Sequence, residues 1–210
     1  MNVFKFDYNS FDDLVSNTYV VSDDDFKCVI IDPGKDNDKL TEFIKKQRFH
    51  PVAILLTHGH IDHIRGVDRI AKEFNIKTFI HQLDHEMLLD SKLNLSAQMH
   101  EKRIIESEIA TVKDNEVLNL FKEKIVVIHT PFHTKGSVCY YLPDEKILFS
   151  GDTLFKESIG RDDLPNAEPC KTRESLNKIK NLPHDATIYP GHGPNTTLES
   201  ELLNNHFLIK

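Results

Sequence analysis

The most informative segment of this sequence is Leu55-Leu56-Thr57-His58-Gly59-His60-Ile61-Asp62-His63-Ile64-Arg65-Gly66. The apolar run 52–56 predicts a buried strand that leads into it. His58 and His60 fall on one face if the strand continues. Asp62 and His63 point about 100° apart if they lie on a helix. This arrangement suits two metal ions side by side, and imidazoles with a carboxylate select zinc, iron or manganese.

Composition limits the class of protein. The chain has 210 residues, 39% hydrophobic and 28% charged, which predicts one soluble globular domain over residues 1–210. The net charge is −7 without a basic run, which argues against a nucleic-acid partner. No run approaches the roughly 18 apolar residues of a membrane span, and residues 1–14 lack the apolar core of a secretory signal. Three cysteines without a Cys-x-x-Cys pair indicate reduced thiols, so we expect a cytoplasmic location.

Periodicity predicts strands and helices in alternation along the whole chain. The predicted strands are 3–6, 18–22, 28–31, 52–56, 78–80, 111–114, 117–120, 125–128, 138–142, 147–149 and 186–189. The predicted helices are 37–47, 66–74, 83–89, 172–181 and 198–205. No linker or repeat divides them, so the pattern indicates two packed sheets with helices outside.

Three further strands also lead into residues that can bind metal. The strand 125–128 leads towards His133, 147–149 towards Asp152, and 186–189 towards His192, each next to glycine or proline or close to one. Functional residues concentrate in the loops at strand ends of layered folds. Together with the first segment, these strand ends predict one shared metal site.

These motifs, taken in order, resemble those of the metallo-β-lactamase fold superfamily. The residues that carry the resemblance are His58-x-His60-x-Asp62-His63, His133, Asp152 and His192. Further motifs resemble those of the glyoxalase II-like branch (hydroxyacylglutathione hydrolases), especially its short bacterial-type members. These are Asp32-Pro33-Gly34, Thr130-Pro131-x-His133-Thr134-x-Gly136-Ser137, Ser150-Gly151-Asp152-Thr153-Leu154-Phe155 and Ile159-Gly160-Arg161. The resemblance spans nearly the whole chain and implies an α/β fold, a four-layered αββα sandwich with the site at one edge of the sheets.

The resemblance also implies a set of metal ligands. His58, His60 and His133 would bind a first ion, Asp62, His63 and His192 a second, and Asp152 would bridge both. The implied cofactor is two Zn²⁺ ions per chain, with iron or manganese as alternatives.

The implied activity is hydrolysis of a small-molecule thioester such as S-lactoylglutathione, by attack of a hydroxide held between two metal ions. Asp62 is expected to orient that hydroxide. Arg161 is expected either to steady Asp62 or to meet an anionic group of the substrate. Lys135 and the segment 94–96 are weaker candidates for the wall of the pocket.

Two departures from the family pattern affect the substrate. Phe132 stands where the family usually has glycine, so its ring is expected to narrow or reshape the pocket. Residues 193–210 alone follow His192, where full-length glyoxalase II enzymes carry a helical domain that supplies much of the glutathione site. Specific recognition of glutathione therefore stays open.

Two other functions compete with the hydrolase. A persulfide dioxygenase of the same fold would hold one iron on His58, His133 and Asp152, a facial triad with open positions. A metal-binding protein without catalysis would best be recognised by a missing ligand, and none is missing. Retention of the second ligand set favours the hydrolase. Lactonase activity stays open, and the acidic charge disfavours a nuclease. The sequence predicts no membrane partner and no particular oligomeric state.

Overall fold

Two mixed sheets form the centre of the molecule. The computed structural model describes residues 1–7 and 15–209, and within them twelve strands form two six-stranded sheets. The first contains, in spatial order, β1 (Asn2–Phe6), β2 (Thr18–Ser22), β3 (Lys27–Ile31), β4 (His50–Leu55), β5 (Lys77–His81) and β6 (Ile109–Val112). The pairs from β1 to β3 are antiparallel, and those from β3 to β6 are parallel.

The second sheet is formed by the second half of the chain, and its strands again lie side by side in the order of the sequence. It contains β7 (Val117–Leu118), β8 (Ile125–His129), β9 (Val138–Leu142), β10 (Ile147–Gly151), β11 (Thr187–Pro190) and β12 (Thr196–Thr197). Only β10 and β11 run parallel among these paired strands. Because β10 and β11 point the same way, their carboxyl ends lie at the same edge of the sheet.

Helices cover the outer faces of both sheets. They are α1 (Asp38–Gln47), α2 (Ile61–Ile64), α3 (Val67–Phe74), α4 (His85–Leu89), α5 (Thr172–Lys180), α6 (Leu198–Asn204) and α7 (His206–Ile209). In α1, the side chain of Asn37 caps the first turn by accepting from the Lys39 N–H, and Arg48 ends the helix in the left-handed conformation. Short 3₁₀ turns lie at Gln82–Asp84, Ser96–Met99 and Pro169–Lys171.

The alternation of side chains along the strands builds three apolar cores. Tyr19 and Val21 of β2 point between the sheets, whereas Val20 points towards α1 and α3. In the second sheet, Tyr140 faces the first sheet, and Tyr141 faces the core beneath α5, α6 and α7. These three cores separate four layers, so the predicted αββα sandwich is confirmed.

Several predicted elements differ from the structure in detail. The strand predicted at 111–114 lies earlier, at Ile109–Val112, and Asp114 instead accepts a hydrogen bond from the His129 N–H at 2.7 Å. The elements α2, β12 and α7 were not predicted because none exceeds four residues, too few for a periodic pattern.

Two predictions about the whole chain extend beyond the described residues. The N-terminal segment without a signal core includes residues 8–14, and the single domain includes residue 210, all outside the described part. The single domain stays a prediction. Over residues 1–7 and 15–209, no helix has both the length and the apolar character to cross a bilayer, and the longest, α1, has ten residues.

Buried tyrosines connect the sheets close to the predicted site. The Tyr140 hydroxyl donates to the carbonyl of Leu56 at 2.9 Å, and the Tyr19 hydroxyl donates to the carbonyl of Pro190 at 2.7 Å. Leu56 and Pro190 each lie two residues before a predicted ligand. These hydrogen bonds therefore fix the two sheets relative to each other where the ligand loops begin.

We expect Tyr140→Phe to lower the free energy of unfolding by about 1–3 kcal/mol, because the buried Leu56 carbonyl loses its donor. Equilibrium unfolding in urea measures the change. Tyr141→Phe, on the opposite side of the same strand, is the control and should change stability by less than about 0.5 kcal/mol. Equal losses in the two variants would show that the inter-sheet hydrogen bond has no special role.

Candidate metal centre

The loops that follow four strands carry all the predicted metal ligands. His58 and His60 follow β4, and His60 directly precedes α2, which contains Asp62 and His63. The remaining three ligands follow strands of the second sheet: His133 comes after β8, Asp152 after β10 and His192 after β11. The structure brings all seven side chains into one cluster at a common edge of the two sheets.

The cluster contains three overlapping groups whose ligand atoms lie within 4.8 Å of one another. These groups are His58, His60 and His133; His58, His63 and Asp152; and Asp62, His63 and His192. The first and last correspond to the two predicted ligand sets. The assignment of particular residues to particular ions stays a prediction.

Asp152 lies between the two predicted sets. Its Oδ1 is 3.4 Å from His63 Nε2, and its Oδ2 is 3.5 Å from His133 Nε2 and 3.6 Å from His192 Nε2. Gly191 permits this position, because a Cβ there would come within 2.3 Å of Asp152 Oδ1. The Asp152 carboxylate is therefore within reach of ligands from both sets.

Several side-chain atoms of the predicted ligands are buried without a hydrogen-bond partner among the described residues. They are Nε2 of His58, His60 and His63, and Oδ1 of Asp152. Burial lowers the pKa of His58 well below its usual value and that of His60 to about 3, and neighbouring imidazoles lower both further. His58 and His60 are therefore neutral imidazoles beside an unpaired carboxylate oxygen, which is the donor chemistry that divalent metals require, so these residues fit metal ions. At His63 burial also opposes the charged form, but the carboxylates of Asp62, Asp32 and Asp152 outweigh it and raise the pKa well above its usual value, so a metal ion at His63 would displace a proton.

The buried carboxylate of Asp32 orients ligands from both sets. Its Oδ2 accepts from Nδ1 of His63 at 2.9 Å and from Oγ1 of Thr57 at 2.6 Å, and its Oδ1 accepts from the Thr57 N–H at 2.8 Å. Thr57 Oγ1 in turn lies 3.2 Å from Nδ1 of His58. Because the carboxylate only accepts, a proton of His63 sits on Nδ1, and Nε2 is the nitrogen that faces Asp62 and Asp152.

A second buried carboxylate, Asp84, joins the first and second ligand loops. It accepts from Oγ1 of Thr134 at 2.6 Å and from the Gly136 N–H at 2.7 Å, and it is hydrogen-bonded to the backbone of Gly59. Burial raises its pKa to about 6, against the lowering effect of these hydrogen bonds. Gly59 separates His58 from His60, and Thr134 follows His133, so Asp84 fixes the spacing between the two loops.

The sequence did not identify Asp32 or Asp84 as functional. Asp32 was noted as part of a turn and of a family motif, and its position directly after a strand next to β4 is a signal that could have found it. Asp84 lies in a predicted helix, and no local pattern distinguishes it from a solvated acid.

Arg161 contributes to the cluster through its backbone. Its carbonyl accepts a hydrogen bond from Nδ1 of His133 at 2.7 Å, so Nε2 of His133 faces the cluster, where it lies 3.0 Å from Nδ1 of His60. Its exposed guanidinium donates to Asp163 at 2.6 and 2.9 Å. The structure thus places this side chain against Asp163 rather than against Asp62.

A cavity of about 490 Å³ opens over the cluster. Five predicted ligands line it, together with side chains from the segments 95–99 and 155–164. Leu95 and Arg161 are among the lining residues, whereas Lys135 lines a different cavity. The Phe132 ring is fully buried and lies outside the lining, so it does not narrow this cavity by direct contact, and an effect on its shape stays a prediction.

Comparison with known proteins identifies relatives over most of the chain. The model of the "Metallo-beta-lactamase superfamily" matches residues 11–192. A probable metallo-hydrolase of Bacillus subtilis, YqgX, is 34% identical, with 92% of each chain covered. The hydroxyacylglutathione hydrolase GloC of Haemophilus influenzae is 30% identical, covering 91% of this chain and 92% of GloC.

Solved structures agree with the fold. The BLEG-1 B3 metallo-beta-lactamase superimposes with a TM-score of 0.92 at 35% identity over 100% of both chains. TTHA1623 in a di-iron-bound form gives a TM-score of 0.81 at 34% identity, covering 92% of this chain and 95% of that one. ETHE1 from Myxococcus xanthus, at 22% identity and a TM-score of 0.79 over 100% of this chain and 86% of ETHE1, is similar in fold alone.

We expect Asp32→Asn to weaken metal binding about 10- to 100-fold, because an amide oxygen orients the imidazole of His63 less strongly than a carboxylate. Asparagine tolerates the left-handed backbone at this position, where φ is 47°, so the substitution tests the charge. Competition with a chromophoric chelator measures the affinity. Asp36→Asn, at a surface ion pair with Arg69 and Arg103, is the control and should leave metal affinity unchanged. Unchanged affinity in Asp32→Asn would remove Asp32 from the site.

Proposed function

The chain belongs to the metallo-β-lactamase superfamily, and from this premise we propose that it is a dinuclear metal-dependent hydrolase that cleaves a small-molecule thioester. The observation that carries the proposal is the overlap of the three ligand groups, which share His58 and His63. Overlapping groups suit two neighbouring ions, whereas one ion would leave part of the buried cluster without a role.

The proposed cofactor is two Zn²⁺ ions per chain, with iron or manganese as alternatives. The donor set contains imidazole and carboxylate groups and no thiolate, which suits each of these metals. The di-iron form of TTHA1623, a 34% identical protein, supports keeping iron among the candidates.

When bound, paired metal ions lower the pKa of a coordinated water and stabilise the oxyanion of an attacked carbonyl. Asp62 is the proposed orienting residue at the floor of the cavity. Its Oδ2 lies 3.2 Å from His192 Nε2 and 3.7 Å from His63 Nε2. Burial opposes ionisation, but His63 and His192 outweigh it and lower the pKa of Asp62. An ionised Asp62 accepts hydrogen bonds and can align a group that carries a proton.

A thioester suits this site because a thiolate leaves near neutral pH without a donated proton. The similarity to GloC, a hydroxyacylglutathione hydrolase, supports the same substrate class and makes S-lactoylglutathione the first compound to test. The proposed partners are therefore small molecules, without nucleic acid or membrane. We place the protein in the cytoplasm, and the buried thiols of Cys28 and Cys139, with pKa values raised by burial to about 12 and 11, agree with reduced cysteines.

β-Lactam hydrolysis is the second candidate, favoured by the similarity to BLEG-1 over the full length of both chains. The amine released from an opened lactam ring needs a proton, which a thiolate does not, so we rank the lactam behind the thioester. The persulfide dioxygenase needs one iron on His58, His133 and Asp152, which would leave Asp62, His63 and His192 without a function.

The metal content and the reaction type can be measured on one sample purified without added metal. We expect about two metal ions per chain, cleavage of S-lactoylglutathione, and no oxygen uptake with glutathione persulfide. A chromogenic cephalosporin tests the second candidate in parallel. About one iron per chain with oxygen uptake would replace the hydrolase by the dioxygenase, and lactam cleavage without thioester cleavage would reverse our ranking.

Asp152→Ala should release metal from both sets of ligands and reduce turnover at least about 100-fold, because it removes the carboxylate within reach of both. Elemental analysis and the thioester assay on the same preparation measure the two effects. Asp185→Ala, at an exposed ion pair with Lys146, is the control and should behave as wild type. If Asp152→Ala keeps its metal and its turnover, the bridging role is wrong.

A further inference from the structure

The walls of the cavity, rather than the metal ligands, point to the class of substrate. We propose that the site takes thioesters with an apolar acyl chain of several carbons and does not recognise the glutathione carrier specifically. This inference rests on the proposed thioester hydrolysis and adds the chemistry of both halves of the substrate. It follows from the side chains that line the cavity, from the way they are held, and from the charges among them.

Apolar side chains from two separate segments line the cavity above the ligands. Leu95 and Met99 come from the segment after α4, and Phe155 and Leu164 come from the segment after β10. Phe155 and Leu164 are half-buried and belong to none of the three apolar cores of the described residues. Their apolar surface is exposed to the cavity, and an acyl chain would remove it from water, which favours binding in proportion to the area covered.

The first apolar wall is held in a fixed position. Leu95 has φ of 69°, a left-handed backbone that leucine rarely adopts. Asn94 secures this conformation, because its side chain accepts from the Ser96 N–H at 2.9 Å and its carbonyl accepts from the Ile61 N–H at 2.9 Å. Strained backbone held in this way is concentrated at functional sites, and here it places an apolar side chain against the cavity.

Arg65 fixes the other end of this wall. Its guanidinium pairs with Glu101 at 3.0 Å and contacts the sulfur of Met99 at 3.1 Å. Arg65 directly follows α2, which carries two of the predicted ligands. The wall is therefore connected to the metal cluster and is already formed before a ligand binds, which reduces the entropy lost on binding.

The charges around the cavity do not match glutathione, which carries a carboxylate at each end and one ammonium group. Apart from the histidines, Arg161 is the one cation among the described lining residues, and its guanidinium is paired with Asp163. Two carboxylates, Asp62 and Asp152, lie at the floor of the same cavity. Both are predicted metal ligands whose charges bound ions would neutralise, so the charges of the walls decide, and there, apart from the histidines, no cation outside an ion pair is available among the described lining residues to bind the carrier carboxylates.

A series of acyl thioesters tests both parts of the proposal on the metal-loaded enzyme. Acetyl, butanoyl, hexanoyl and octanoyl groups are compared on N-acetylcysteamine, a small neutral carrier, and on glutathione. We expect kcat/KM to rise about fourfold per added methylene until the cavity is filled. We expect glutathione to change kcat/KM by less than about threefold relative to the neutral carrier. A flat or falling series, or a preference of about tenfold or more for glutathione, would overturn the proposal.

Leu164→Ala tests the wall directly. It should lower kcat/KM for the octanoyl substrate about tenfold and change that for the acetyl substrate by less than about twofold, because only the longer chain reaches the leucine. The acetyl substrate also reports whether the variant is folded. Leu203→Ala, on α6 at a side chain that is 71% exposed, is the control and should affect neither substrate. Equal effects of Leu164→Ala on both substrates would contradict the proposed wall.

A binding measurement separates this inference from the proposed function. If no thioester on either carrier is cleaved, the hydrolase proposal fails, and calorimetric titration with the carboxylates from acetate to octanoate then decides the inference. Affinity that rises about fourfold per methylene would retain the apolar cavity as a site for acyl chains. Affinity independent of chain length would remove it.

Discussion

The hydrogen bonds of the Asp32 carboxylate are the interaction on which the metal centre depends. Strand β3 pairs with β4 in parallel, with Ile31 opposite Leu55, so the residues just past both strands emerge side by side. The Asp32 N–H donates to the Leu55 carbonyl at 3.1 Å, which continues this pairing and places the carboxylate beneath the ligand loop. The register of one strand pair therefore determines which atoms of His63 and His58 are free for metal.

The centre also requires both sheets, because the described ligands come from strands of each. Asn17, which precedes β2 of the first sheet, donates from Nδ2 to the carbonyls of Pro190 and Gly193 at 2.9 and 3.0 Å, on either side of His192 in the second half. Asp84 joins the loops of His58 and His133 in the same way. A site built from both halves is complete only when the two sheets are packed, so the core between them positions the chemistry as well as stabilising the fold.

The sequence predicted the parts of the structure that depend on local pattern. Apolar runs that lead towards His58, His133, Asp152 or His192 identified the strands and the edge where these residues meet, and the family resemblance supplied the four layers. Short elements such as α2 were not predicted, because a single helical turn is too short to show a periodic pattern. The role of Asp84 was not predicted, because it depends on burial against a loop that is distant in the sequence. The burial of Phe132 outside the cavity lining could not be predicted, because sequence position does not show whether a side chain turns towards the cavity or away from it.

The residues proposed for the reaction follow strands, whereas those proposed for substrate specificity lie on longer loops. Residues that follow the strands are held by ladder hydrogen bonds and by Asp32 and Asp84, so the predicted metal ligands have little freedom to vary in position. Leu95, Met99 and Leu164 lie on long connections, which tolerate substitution more easily. Changes in these connections alter the walls of the cavity without moving the predicted ligands, so the class of substrate has to be inferred from the walls.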